Sequence, residues 1–266
     1  MKIEQAKQIA TKAIEELSQA LESGHSEKLR EYLGAMARFH RYSWHNVMLI
    51  ASQRPAATHV AGFHTWQQLG RFVKKGAKGI MILAPIARKK SQKEPSDEER
   101  SRVTLGFRAV YVFDQADTDG KPLAELASAE GDPSGYTEKL KQFVMQRGIQ
   151  LEYSDAIYPA QGQCTAGKIT LLPGQSSAEE FNTLAHETGH LLLLHVTERR
   201  AETTKTIRET EAEAVAFVVC EAIGLKAQNS RDYIHLYSGS KETLAASLEC
   251  IQRTSAEILA AIAPSE

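Results

Sequence analysis

Apolar residues recur at three- and four-residue steps from the start of the chain: Ile3, Ala6, Ala10, Ile14, Leu17 and Leu21. That period predicts an amphipathic helix over residues 3–21, broken by the polar, glycine-containing run 22–26. Ser26 is placed to cap a second helix reaching about residue 39. A third helix begins at Ser43 and stops before Pro55, because the residue ahead of a proline is pushed out of helical geometry. The period then shortens. Residues 59–63 read as a short strand, 65–70 as a short helix capped by Thr65, and 79–87 and 102–114 as strands rich in β-branched and aromatic residues. The polar run 88–101 between those strands predicts a solvated hairpin loop. Residues 114–135 collect Asp, Gly, Ser and two prolines without any period. Beyond them the pattern predicts a helix over 136–147, strands over 149–153 and 168–172, and helices over 178–195, 207–223 and 242–262.

This order of elements predicts an α+β fold. A mixed helix and antiparallel-sheet domain over 1–115 precedes a linker over 116–135 and a mostly helical domain with a small sheet over 136–266. With 42% hydrophobic and 24% charged residues, a chain of 266 residues has the material for real cores and is not disordered throughout. Three widely spaced cysteines exclude a disulfide scaffold and a thiolate zinc finger, and fit a reducing compartment. The first residues carry no apolar signal segment, and the longest apolar run, 212–225, is interrupted by Glu213 and Glu221. The expectation is a cytoplasmic protein with no membrane partner.

Residues 186–190 read His-Glu-Thr-Gly-His. On a helix, positions i and i+4 share a face, so His186 and His190 can point at one ion. Glu187 lies about 100° round the helix, close enough to hold a metal-bound water without ligating the metal. This is the zincin arrangement, in which zinc lowers the pKa of water and the glutamate accepts its proton. Ser177 and Glu180 form a capping-box pattern ahead of the motif, and Leu184, Leu191 and Leu194 supply apolar neighbours. A catalytic zinc needs a third protein ligand and an open position. His195 follows His190 by five residues, a spacing that sets it aside. On the next helix, Ala212, Ala216, Val219 and Ile223 form an apolar stripe on which Glu209 and Glu213 fall, whereas Glu211 falls to one side. A carboxylate facing a core needs a partner. Glu209 is therefore expected as the third ligand and Glu213 as the acceptor of a zinc-bound histidine's free ring N–H. A capping box with Thr206 is the competing role for Glu209, and Glu211 is the alternative ligand. The series His-Glu-x-x-His, eighteen residues, Glu209-Thr-Glu-Ala-Glu213 resembles the gluzincin layout, which implies Glu209 as ligand. Tyr158, His235 and Tyr237 are candidates, by residue type alone, for stabilising an oxyanion.

The formal net charge of −1 hides an asymmetry. Between Glu31 and Glu94 there is no acidic residue, while eleven Lys or Arg occur there, among them Arg54, Arg71, Lys74, Lys75 and Lys78. The same stretch holds Tyr42, Trp44 and Trp66, with Phe63 and Phe72. Cations that track phosphates, interleaved with rings that stack on unpaired bases, suit single-stranded nucleic acid. The plainer alternative is a solvated basic face over tryptophans that belong to the core.

Residues 39–86, including Tyr42-Ser43-Trp44-His45-Asn46, Gln53-Arg54-Pro55, Thr58-His59-Val60-Ala61-Gly62-Phe63, Trp66 and Val73-Lys74-Lys75-Gly76-Ala77-Lys78-Gly79, resemble the amino-terminal domain of the ArdC antirestriction family, as does Val112-Phe113-Asp114. The resemblance implies a domain that binds single-stranded DNA followed by a zincin-like metallopeptidase domain. It implies one Zn²⁺ per chain held by His186, His190 and Glu209, with Glu187 activating water against a peptide carbonyl. The alternative it leaves open is a non-proteolytic, DNA-protecting antirestriction protein of a mobile element, whose zinc site is structural or vestigial.

Overall fold

The three-four step of the first segment folds as helix α1, Lys2–Glu22, with Ala6, Ala13, Leu17 and Leu21 on its buried side. The computed structural model describes residues 2–87, 104–122, 133–225 and 240–262. Helix α2, Glu27–Arg38, follows a turn at Gly24. Ser26 stands at its N-cap but has helical backbone angles and makes no side-chain cap, because a capping hydroxyl needs an extended backbone to reach forward. Helix α3, Trp44–Gln53, stops short of Pro55 as expected. Its last side chain ties it to a strand: Gln53 Nε2 donates to Met81 O at 2.8 Å, and Met81 N donates back to Gln53 Oε1 at 3.0 Å.

Strand β1, Val60–Gly62, leads into helix α4, Phe63–Gln68, whose cap is Gly62, so Thr65 lies inside the helix rather than before it. Strand β2, Arg71–Val73, is followed by β3, Ile80–Ala87, β4, Thr104–Asp114, and β5, Thr118–Gly120. The order β1-β4-β3 is antiparallel throughout, and β2 and β5 form a separate antiparallel ribbon. Both ribbon strands have three residues, too few for an alternation to register in sequence. The expected hairpin loop at 88–101 lies outside the described residues.

Helix α5, Ser134–Gln146, opens the second half and is followed by β6, Gln150–Tyr153, β7, Gly162–Thr165, and β8, Lys168–Leu171. Strand β8 is central, parallel to β6 and antiparallel to β7, so β7 is an edge. Then come α6, Ser177–Leu192, α7, Lys205–Ala222, and α8, Lys241–Ile262. Helix α7 packs against α2, α6 and α8, and every residue from Thr210 to Ala216 is buried. A helix covered on all sides has no free face, which no single apolar stripe reveals.

The chain divides into two compact units, one of Met1–Ala13 and Met48–Leu123, the other of Ile14–Val47 and Ala124–Glu266. The later cut falls within the 116–135 segment, of which 123–132 lie outside the described residues. The earlier cuts place residues 14–47 in the second unit, whereas sequence groups them with the first domain. Packing of α2 on α7 is the physical reason. No described helix is long and apolar enough to cross a membrane.

Candidate metal centre

Helix α6 carries the His-Glu-x-x-His motif and starts on a capping box one residue earlier than expected: Ser176 Oγ accepts from Glu179 N at 3.3 Å, and Glu179 Oε2 accepts from Ser176 N at 2.9 Å. The shift releases Glu180 for Lys141. Gly189 faces α7, whose Ala212 Cα would lie only 3.4 Å from a Cβ there. This close approach of α6 and α7 brings Glu209 to the histidines.

Three ligand atoms converge. His186 Nε2 and His190 Nε2 are 3.1 Å apart, and Glu209 Oε2 is 3.7 Å from each. Donors about 2.0–2.2 Å from a tetrahedral ion stand about 3.3–3.5 Å apart, so this triangle has the right size for one ion. Among the described residues, His186, His190 and Glu209 form the cluster able to hold a metal. Glu209 is not in a capping box, because the N-cap of α7 is Thr204, which accepts from Ile207 N. Glu213 lies 3.2 Å from His186 Nδ1, on the side of the ring away from the triangle.

The electrostatics favour a cation. Burial pulls the His186 imidazole down, but hydrogen bonds to Glu209 and Glu213 outweigh it and push it up to about 9. The two histidines hold the Glu209 carboxyl well below the usual carboxylate range. Glu187 is buried at 7% exposure and shifted the other way: burial raises its carboxyl against the nearby histidines. Strand β7 closes over it, since a Cβ at Gly162 would stand 2.8 Å from Glu187 Oε1 and 2.6 Å from Thr183 Cγ2. Neither β7 nor Gly162 is visible as a site feature in sequence. Cys164 on the same strand is a thiol pushed up to about 12, by burial and then by Glu187.

Glu211 differs from its sequence reading. It is fully buried, and its oxygens accept from Arg199 at 2.9 and 3.0 Å and from Ser247 at 2.7 Å, with His195 Nε2 also at 2.7 Å. Burial raises its carboxyl, but hydrogen bonds with His195, Arg199 and Ser247 outweigh burial and draw it down to about 2. Thus occupied, it is not the third corner of the triangle. His195 lies directly behind His190, with Nδ1 to Nδ1 at 3.0 Å. Tyr158 is 76% exposed, and His235 and Tyr237 lie outside the described residues.

The expected nucleic-acid residues separate into two groups. Trp66 is 1% exposed and donates Nε1 to Phe113 O at 2.9 Å. Trp44 is buried against the ring of His45, and Tyr42 is half-buried. Arg54 pairs with Asp117, and Arg71 is buried among Thr118 and Lys121 O. These tryptophans and arginines hold the fold together and present no open ring or free cation. Lys74, Lys75 and Lys78 are exposed, Lys74 standing 3.4 Å from Asp119, and Phe72, one of the rings of the basic stretch, is 61% exposed.

The geometry defines an α+β protein with a helix-borne His-His-Glu site next to a buried carboxylate. Residues 4–113 match the family model of the N-terminal domain of anti-restriction factor ArdC. Crystal structures of the antirestriction ArdC protein from the R388 plasmid share the fold. The metal-free structure is 18% identical with a TM-score of 0.55, covering 95% of this chain and 96% of that one. The Mn(II)-bound structure is 16% identical with a TM-score of 0.56, covering 97% and 99%. The uncharacterized protein pXO2-81 of Bacillus anthracis is 22% identical over 272 residues, spanning 84% of this chain. The chain covers 44% of the length of that relative. Residues 4–113 thus match the ArdC N-terminal domain, and the chain as a whole shares the ArdC fold.

Proposed function

We propose that the chain is a zinc-dependent peptidase coupled to single-stranded DNA binding. The observation that carries the proposal is Glu187: a buried carboxylate with a raised pKa, beside a His-His-Glu triangle and beneath an edge strand. A structural metal site has no use for such a base. A divalent ion in the triangle supplies Lewis-acid chemistry and lowers the pKa of water. His186, His190 and Glu209 hold it, and Glu213 orients His186 through Nδ1. Glu187, buried beside the triangle, accepts the proton of the attacking water and returns it to the leaving amine. The edge of β7 offers backbone partners to an extended peptide, a polymer that carries matching donors and acceptors. The Mn(II)-bound relative supports metal binding as such, and zinc is the choice favoured by two imidazoles and one carboxylate.

Single-stranded DNA binding is supported by the family match over residues 4–113 and by Lys74, Lys75 and Lys78 clustered near Phe72 in sequence and exposed with it. The second reading, a non-proteolytic antirestriction protein, is favoured by the anti-restriction name of the matched family. A protease assay with and without single-stranded DNA separates the two. Wild type is expected to cleave, and Glu187→Gln is expected to keep metal and fold while losing about 10²–10⁴-fold in rate. Equal rates would remove Glu187 from the mechanism, and no cleavage of diverse substrates by wild type would favour the second reading.

A further inference from the structure

We infer that His195, backed by Glu211 and Arg199, forms a hydrogen-bond relay of fixed direction that holds His190 in its metal-binding tautomer, making His195 a positioning residue of the site. The inference rests on the metal-binding reading of the triangle.

The relay begins with the way α6 ends. Leu194 N donates to Leu191 O at 3.0 Å, His195 N donates to His190 O at 2.9 Å, and Leu194 takes φ 59. This is a Schellman turn, which folds the second residue past the cap back over the residue five positions earlier. Those two positions usually make an apolar contact. Here they are His195 and His190, and the contact is a hydrogen bond.

Its direction follows from the far end. Glu211 is a carboxylate, fully buried, held by both Arg199 nitrogens and by the Ser247 hydroxyl, and a carboxylate only accepts. His195 Nε2, 2.7 Å from Glu211 Oε2, therefore carries the proton. Arg199 Nη1 stands 3.5 Å from the same nitrogen, too far to compete with the carboxylate. A neutral His195 then has Nδ1 as its acceptor, so across the 3.0 Å contact His190 Nδ1 is the donor. His190 Nε2 is left with its lone pair directed toward His186 Nε2 and Glu209. The two histidines of the triangle are thus oriented differently: His186 directly by a carboxylate, His190 through a second imidazole. Burying a His-Glu-Arg set at 1% and 0% exposure of the first two side chains is costly for stability alone, since well-packed apolar residues do as well.

The test is calorimetric titration of the metal-free full chain with Zn²⁺ and with Mn²⁺, alongside the thermal stability of each metal-free variant. His195→Phe, which keeps the ring volume but removes the acceptor, is expected to bind about 10–100-fold more weakly. His195→Gln, which can accept through Oε1 and donate through Nε2, is expected to recover part of that loss. Glu209→Ala serves as the control for the triangle. Wild type that binds neither ion, or Glu209→Ala that binds like wild type, overturns the metal site. Wild type that binds, with a folded His195→Phe binding within twofold of it, overturns the relay alone. Should His195→Phe fail to fold, ring ¹⁵N spectra of the wild type decide. Protons on His190 Nδ1 and His195 Nε2 support the relay, and a proton on His195 Nδ1 overturns it.

Discussion

Leu194 shows how a single residue is used against its own preference. Its φ of 59 lies in the left-handed region, where a Cβ crowds the next carbonyl at a cost of about 1–2 kcal/mol. Glycine is the usual occupant of this cap position. The leucine is 39% exposed, so it regains only part of that cost by burial. Leu194→Gly removes the crowding and adds about 0.5–1 kcal/mol of unfolded-chain freedom. The expected net is a gain of up to about 1 kcal/mol in urea denaturation, with the turn intact. A loss greater than 1 kcal/mol would show that the leucine side chain, and not the backbone, holds the end of α6.

At the scale of elements, the one-residue shift of the α6 cap has a consequence for packing. Glu180 is no longer part of the capping box and instead accepts from Lys141 of α5 at 2.8 Å and from Tyr153 of β6 at 2.7 Å. One carboxylate in the first turn of α6 thus pins three elements, at the helix end where negative charge is favoured. Burial raises its carboxyl, but Lys141 and Tyr153 outweigh burial and leave it below its ordinary value of 4.5. A depressed folded pKa means that the stabilisation is complete above that ordinary value and is lost as pH falls through the folded one. Wild type is expected to exceed Glu180→Gln by about 1 kcal/mol at pH 7, since the pair is partly exposed. The gap should close in strongly acidic buffer. A gap equally large at pH 7 and at pH 2 would mean that shape, and not charge, is the pin.

At the scale of the whole molecule, the two units divide the proposed labour. The first unit carries the exposed lysines, and the second carries the metal triangle. For DNA binding the burial pattern reverses the expected roles of the aromatics. Trp66→Ala is expected to destabilise the first unit by about 3–5 kcal/mol, as for other large buried aromatics. Phe72→Ala should leave the fold intact and weaken single-stranded DNA binding by about 1–3 kcal/mol without altering the salt slope. Charge reversal at Lys75 and Lys78 should flatten that slope instead, because each phosphate neutralised contributes about −0.7 to it. Anisotropy titrations across a salt series distinguish these outcomes. A Phe72→Ala variant with wild-type affinity would remove the ring from the interface.

What the sequence determines alone is whatever depends on neighbours along one helix or strand. The period of α1, the breaks at Gly24 and Pro55, and the shared face of His186 and His190 are local consequences of 3.6 residues per turn, so they are legible before any packing is known. Glu209 joins the triangle although its side chain is 42% exposed, so the close approach of α6 and α7 at Gly189, and not a core-facing stripe, sets it there. Glu211 is not legible in sequence, because its burial comes from α8 closing the other side and from Arg199 arriving across a turn. The five-residue spacing sets His195 aside as a ligand, and only the left-handed turn at Leu194 makes it a partner of His190. The tryptophans read equally well as stacking rings or as core until a sheet covers Trp66 and offers Phe113 O to its indole. Burial is a property of what arrives from elsewhere in the chain, and that is decided by tertiary packing.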